Sequence, residues 1–94
     1  MHARVTHSKV DPTTVDELIG MIKENVVPMV KKQPGFRGGY WMFDRATGKR
    51  ISITLWESEQ ALRSSDAVAK QLRDRGPVGL QIIDVEDYEV AVQA

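Results

Sequence analysis

Between residues 49 and 56 the polar and aromatic groups Ser52, Thr54 and Trp56 recur at every second position. In an extended chain they project from one side. An indole flanked by hydroxyls can hold a small aromatic molecule, the ring giving a flat wall and the hydroxyls fixing orientation. Trp41 and Phe43 add aromatic surface just upstream. His7, whose side chain ordinarily titrates near working pH, is the candidate general base for an acidic phenol or enol. Arg37 and Arg50 offer positive charge to a substrate anion or an enolate. Each residue also has a plainer reading. Trp56 serves equally as a core aromatic, Ser52 and Thr54 as ordinary strand residues, His7 as a half-buried polar group, and the arginines as ion-paired or solvated charges.

Other chemistries find little support. The chain has no cysteine, which removes disulfides and thiolate chemistry, and only two histidines. His2 and His7 are an odd number of positions apart on one extended segment, so they point to opposite faces. The acids Asp84, Glu86, Asp87 and Glu89 alternate sides, so no metal set is expected and no cofactor is implied by these residues. Gly38-Gly39 precedes no helix N-terminus and reads as a close backbone approach rather than a phosphate loop. Formal net charge is zero with the signs interspersed, giving no footprint for nucleic acid or an anionic membrane. No apolar run approaches the ~20 residues that span a bilayer. A cytoplasmic protein is expected.

The elements that must position these groups follow from local signals. Residues 2–10 are rich in β-formers (Val5, Thr6, Val10) and read as a first strand. Asp11-Pro12-Thr13-Thr14 stops it and starts a helix, through an Asp11 cap with Pro12 at the first position, or a Thr14 cap with Glu17 three residues on. Val15, Leu18, Ile19, Ile22, Val26 and Val30 keep helical spacing, and Pro28 must kink the helix near Val27. After the stop at Gln33-Pro34-Gly35, a second and third strand flank Asp44–Lys49, a four-residue loop with Gly48 in the left-handed position. That loop sets Phe43 against Arg50, Trp41 against Ser52, Tyr40 against Ile53 and Arg37 against Trp56; a three-residue loop would shift every pair by one and flip the faces. Ser58 caps a second helix that breaks near Ser64-Ser65-Asp66. Gly76-Pro77 ends it, and residues 82–92 form an acidic edge strand.

The order strand–helix–strand, repeated, predicts a single α+β domain over residues 1–94: a ferredoxin-like βαββαβ sandwich with a four-stranded antiparallel sheet and helices on one face. Both faces of the hairpin are apolar or aromatic, whereas a half-solvated sheet alternates. The expectation is that Tyr40, Met42, Ile51, Ile53 and Leu55 lie under the helices and Trp41, Phe43 and Trp56 on the open face. Two copies would then enclose a cavity in a homodimer, with His7 reaching it from the first strand, neighbour of the third.

The motifs ValValPro at 26–28, GlnProGlyPheArgGly at 33–38, AspArgAlaThrGlyLys at 44–49, ThrLeuTrpGluSer at 54–58 and TyrGluVal at 88–90 span nearly the whole chain. Together they resemble the antibiotic-biosynthesis-monooxygenase-like group of the dimeric α/β-barrel superfamily. The resemblance implies a homodimer around a small apolar cavity. In characterised branches that cavity admits a polyketide-derived aromatic for cofactor-free oxygenation, or a haem for degradation. The haem branch matches at Trp56 but needs an axial histidine on the following helix and an asparagine on the first strand. Here no histidine follows His7, which itself takes the asparagine position, so haem degradation is disfavoured. The quinone-forming branch pairs the tryptophan with an asparagine four residues earlier and a helical tyrosine; Ser52 and Leu62 stand there. The resemblance thus implies a cofactor-independent oxygenase of unassigned aromatic substrate, or a non-catalytic binder of hydrophobic ligands, or a dimer whose cavity its own side chains fill. Substrate contacts would fall on Trp56, Ser52, Trp41, Phe43, Thr54 and Arg37, with His7 as base.

Overall fold

A π-helical turn interrupts the first helix just before its proline. In the computed structural model, which describes residues 1–75 and 80–94, helix α1 (Val15–Met21) passes through this turn (Ile22–Val26) into α2 (Val27–Lys31). Pro28 has no N–H to give to the preceding turn, and the wider turn absorbs the lost bond. Upstream, Asp11 Oδ1 accepts from Thr13 N at 2.9 Å and caps a 3₁₀ turn at Pro12–Thr14, whereas Thr14 makes no side-chain cap. Ser58 Oγ accepts from Ala61 N at 3.1 Å and starts α3 (Glu59–Ser64), which breaks at Ser65 into α4 (Asp66–Asp74). The stop expected at Gly76-Pro77 lies outside the described residues.

Strands β1 (His2–Lys9), β2 (Phe36–Phe43), β3 (Lys49–Trp56) and β4 (Gln81–Glu89) form one antiparallel sheet in the order β2-β3-β1-β4. This is the ferredoxin-like sandwich, with the helices on one face. Gly48 adopts φ 78° and its N–H bonds Asp44 O at 2.9 Å, closing the hairpin. A Cβ there would lie 1.9 Å from Val10 O, so only glycine fits. The hairpin pairs Phe43 with Arg50, Trp41 with Ser52 and Tyr40 with Ile53, as the loop predicts. One expected pair fails: the ladder shifts between Phe36 and Gly38, so Phe36, not Arg37, faces Trp56. Arg37 is bulged out of register.

The two faces of the sheet are the reverse of the expectation. Trp56 is 1 % exposed and packs with Val30 and Leu62 under the helices, and Trp41 and Phe43 pack against the Val10–Val15–Leu18–Ile22 cluster. Burying side chains of this size contributes about 1.5–3 kcal/mol each. The open face instead carries Val5, Ile51, Ile53, Leu55, Tyr40 and Met42, with Tyr40 62 % and Met42 45 % exposed. Hydrophobic alternation could not choose between two faces that are both apolar. A polar contact decides: Arg4, on the Trp56 side of the sheet, is tied to the end of α3, which fixes that face inward.

Candidate functional site

Between the helices and the inward sheet face lies a cavity of about 90 Å³. The sheet supplies Thr6 from β1, Trp41 from β2, and Ser52, Thr54 and Trp56 from β3; the helices supply Leu18, Ile22, Val26, Val30 and Leu72. Trp56 stands edge-on to Phe36, ring centroids 5.5 Å apart, and its Nε1–H donates to Thr54 Oγ1 at 3.1 Å. The indole is thereby fixed, and the Thr54 hydroxyl is engaged by the protein itself. Trp41 folds back over Gly39: a Cβ on Gly39 would sit 3.0 Å from the Trp41 ring and 3.1 Å from Ile53 O. The close approach expected at Gly38-Gly39 is therefore the space that lets this indole lie flat along the wall.

Two guanidiniums stand in the wall as well. Arg4, 6 % exposed, donates from Nη2 to Leu62 O at 2.9 Å and from Nη1 to Ser65 Oγ at 3.1 Å, and pairs with Asp66. Its Nε lies 4.0 Å from Asp87. Ser65 Oγ in turn donates to Leu62 O at 2.6 Å. This cluster satisfies the last carbonyls of α3 and places a cation at its negative end. Desolvation lowers the Arg4 pKa, while Asp66 and Asp87 act to raise it. Arg50 sits 5.7 Å from the centre of the Phe43 ring, with Nη1 3.5 Å from Ser8 Oγ. Desolvation lowers its pKa.

The predicted site residues separate into two groups. Ser52, Thr54, Trp56 and Trp41 converge on the cavity, and Phe43 lies beside it beneath Arg50. The cavity lies within the chain, between sheet and helices, not above the open sheet face where it was expected. His7 is not part of it. In the β1–β3 register Thr6 opposes Ser52 and His7 opposes Ile51, so His7 points to the open face, where its Nε2 lies 3.2 Å from Glu86. Arg37 lies on the surface, 3.0 Å from Glu57. The sequence reading missed Arg4, Thr6 and Ser65. The available signal was the period of two in β1, which puts Arg4 and Thr6 on one face beside Ser52 and Thr54.

The wall does not suit haem. Among the described residues it holds no imidazole, and its ionisable groups are the guanidiniums of Arg4, Arg50 and Arg73. His2 faces α3 instead, 3.8 Å from Glu59. Haem iron held by an axial imidazole has no ligand here. The cavity, about 90 Å³, is smaller than the ~300–1,000 Å³ usual for drug-sized ligands and suits one small ring rather than a macrocycle.

The profile of the antibiotic biosynthesis monooxygenase family matches residues 1–70. This chain belongs to that family. Its fold superposes on the heme-degrader MhuD of Mycobacterium tuberculosis, solved with two hemes bound in its active site, with TM-score 0.78 and 18 % identity over 100 % of this chain and 99 % of that one. It also superposes on the ActVA-Orf6 monooxygenase of Streptomyces coelicolor, solved in complex with nanaomycin D, with TM-score 0.66 and 22 % identity over 99 % of this chain and 91 % of that one. At such identities the likeness is one of fold. In sequence, the uncharacterized protein Rv2558 of Mycobacterium tuberculosis is 28 % identical over 93 residues. That match takes in 98 % of this chain but 39 % of the relative, so the chain spans about two fifths of the length of the curated relatives it matches. Among the described residues no helix is long and apolar enough to cross a membrane.

Proposed function

We propose that this chain is a single family domain that binds a small aromatic compound in the cavity between sheet and helices and supports its cofactor-independent oxygenation. The observation that carries this reading is the pair of indoles, Trp41 and Trp56, on one wall of the cavity with aliphatic side chains of the helices opposite and the Ser52 hydroxyl beside Trp41. Such chemistry asks for a dry cavity, a substrate that ionises readily and donors near the developing charge. In a quinone-forming case, a phenol and dioxygen give a quinone and water; the substrate supplies all the electrons. Ser52 would orient the reacting oxygen, and the indoles would clamp the ring. The test is oxygen uptake with a panel of phenols and hydroxynaphthalenes, alongside NMR of the indole N–H signals. Uptake that requires the protein and falls at least about tenfold in Trp56→Ala, in line with the loss of buried contact area, supports the reading. Indole signals unmoved by every compound would refute it.

A second reading, a non-catalytic binder, is favoured by one observation. Among the described residues the wall's ionisable groups are all arginines, and none is a base at neutral pH. Shifts in the indole signals without oxygen uptake would select it. On either reading no stoichiometric Soret shift is expected when haem is added.

The open sheet face supports a homodimer. Ile51, Ile53, Leu55, Tyr40 and Met42 form an apolar surface that no element covers among the described residues, and a sheet apolar on both faces is one meant to be covered on both. Ile53→Glu should shift light scattering from dimer to monomer at micromolar concentration. A wild-type monomer at every concentration would remove the proposal. A cytoplasmic setting fits a cysteine-free chain of zero formal charge.

A further inference from the structure

We infer that Arg50 anchors a carboxylate on the cavity's ligand, so that the molecule bound is an aromatic acid rather than a neutral ring. This rests on the cavity being a ligand site, and it adds the ligand's charge.

Arg50 extends from the second position of β3 over the Phe43 ring and reaches the cavity beside Trp41 and Ser52. Its Nε is buried and has no hydrogen-bond partner among the described residues. Among the described residues its guanidinium makes one hydrogen bond, the long one, 3.5 Å, between Nη1 and Ser8 Oγ. Among the described residues no carboxylate lies within ion-pair distance of Arg50, although Arg4, Arg37, Arg45 and Arg63 all have one. A desolvated cation with an unused donor is costly unless something completes it. The Phe43 face compensates only in part, because a ring quadrupole attracts a cation far more weakly than an anion does.

The geometry of the unpaired donor selects the ligand group, which must displace its present packing to reach it. On a guanidinium, the Nε–H and the neighbouring Nη–H lie parallel along one edge, matching the two oxygens of a carboxylate. The ring attached to that carboxylate would extend toward Trp41 and Trp56. Arg4 is the poorer candidate, since the carbonyl of Leu62, the Ser65 hydroxyl and Asp66 engage both of its Nη nitrogens and Asp87 lies 4.0 Å from its Nε.

The experiment compares two near-isosteric probes, benzoate and benzamide, on the full chain. Binding is followed through the indole N–H resonances of the two tryptophans. Charge-assisted hydrogen bonding to a desolvated guanidinium predicts that benzoate binds roughly tenfold or more tightly than benzamide. In Arg50→Gln that preference should fall to within about twofold. Arg50→Lys, which keeps the charge but loses the planar fork, should retain part of it. Equal affinities in the wild type, or a preference that survives Arg50→Gln, would overturn the inference and leave the cavity as a site for neutral rings. If neither probe moves the indole signals, the cavity reading falls and this inference falls with it. Should Arg50→Gln fail to fold, the wild-type ratio and Arg50→Lys decide.

Discussion

Arg4 and Arg50 line one cavity from adjacent strands, and both lose much of their hydration there. Their surroundings differ in one respect. Arg4 is answered at both Nη nitrogens, by a helix-end carbonyl, a buried hydroxyl and Asp66, with Asp87 4.0 Å from its Nε, and so serves as a strut between β1 and α3. Arg50 rests on an aromatic ring and keeps a buried N–H without a partner among the described residues. The same side chain is thus structural at one end of the cavity and available at the other. What separates them is the satisfaction of their donors, not their burial.

That contrast breaks most visibly at Arg4. Arg4→Met should destabilise the fold by about 2–4 kcal/mol in urea unfolding, because the α3 carbonyl and Ser65 lose their donor inside the protein. A loss under about 0.5 kcal/mol, the size of an ordinary surface change, would mean that the strut carries no weight. A smaller effect is expected at Ser65, whose hydroxyl both accepts from Arg4 and donates to Leu62 O. Ser65→Ala should cost about 1–2 kcal/mol, and combined with Arg4→Met it should add little further, since both act on one network. At the other end Arg50→Met should leave stability unchanged or raise it by up to about 1 kcal/mol, because an unanswered buried charge is replaced by an apolar chain of similar length. Equal losses for Arg4→Met and Arg50→Met would erase the distinction between the two.

The sequence carried the element order and the hairpin register because local chemistry determines both. Asp11, Ser58, Gly48 and Pro28 each act on their own few residues, and each does so in the structure as read. The grouping of Ser52, Thr54 and Trp56 was legible for the same reason, since strand periodicity is local. The misplaced residues all depended on longer-range facts. His7 was put beside Ser52 on the strength of β1 neighbouring β3, but no short turn joins those strands to fix their offset, and Thr6 takes that place. Arg37 was lost to a bulge, which adds one residue without a mark in the hydrophobic pattern. The inverted faces trace to Arg4, whose partners lie 58 to 62 positions away in the chain. A buried guanidinium reads as a surface charge until its partners are known.

The π-helical turn before Pro28 also governs angular phase. Leu18, Ile22, Val26 and Val30 recur at a strict spacing of four, and all line the cavity. In a regular α-helix, at about 100° per residue, each such step overshoots a full turn by about 40°. Three steps would carry Val30 about 120° away from the direction of Leu18. The wider turn, in which Val27 N–H reaches back to Ile22 O, winds more slowly and takes back part of that drift midway. The four side chains can therefore form one straight flank. Without the correction, the two halves of the helix would face different parts of the sheet.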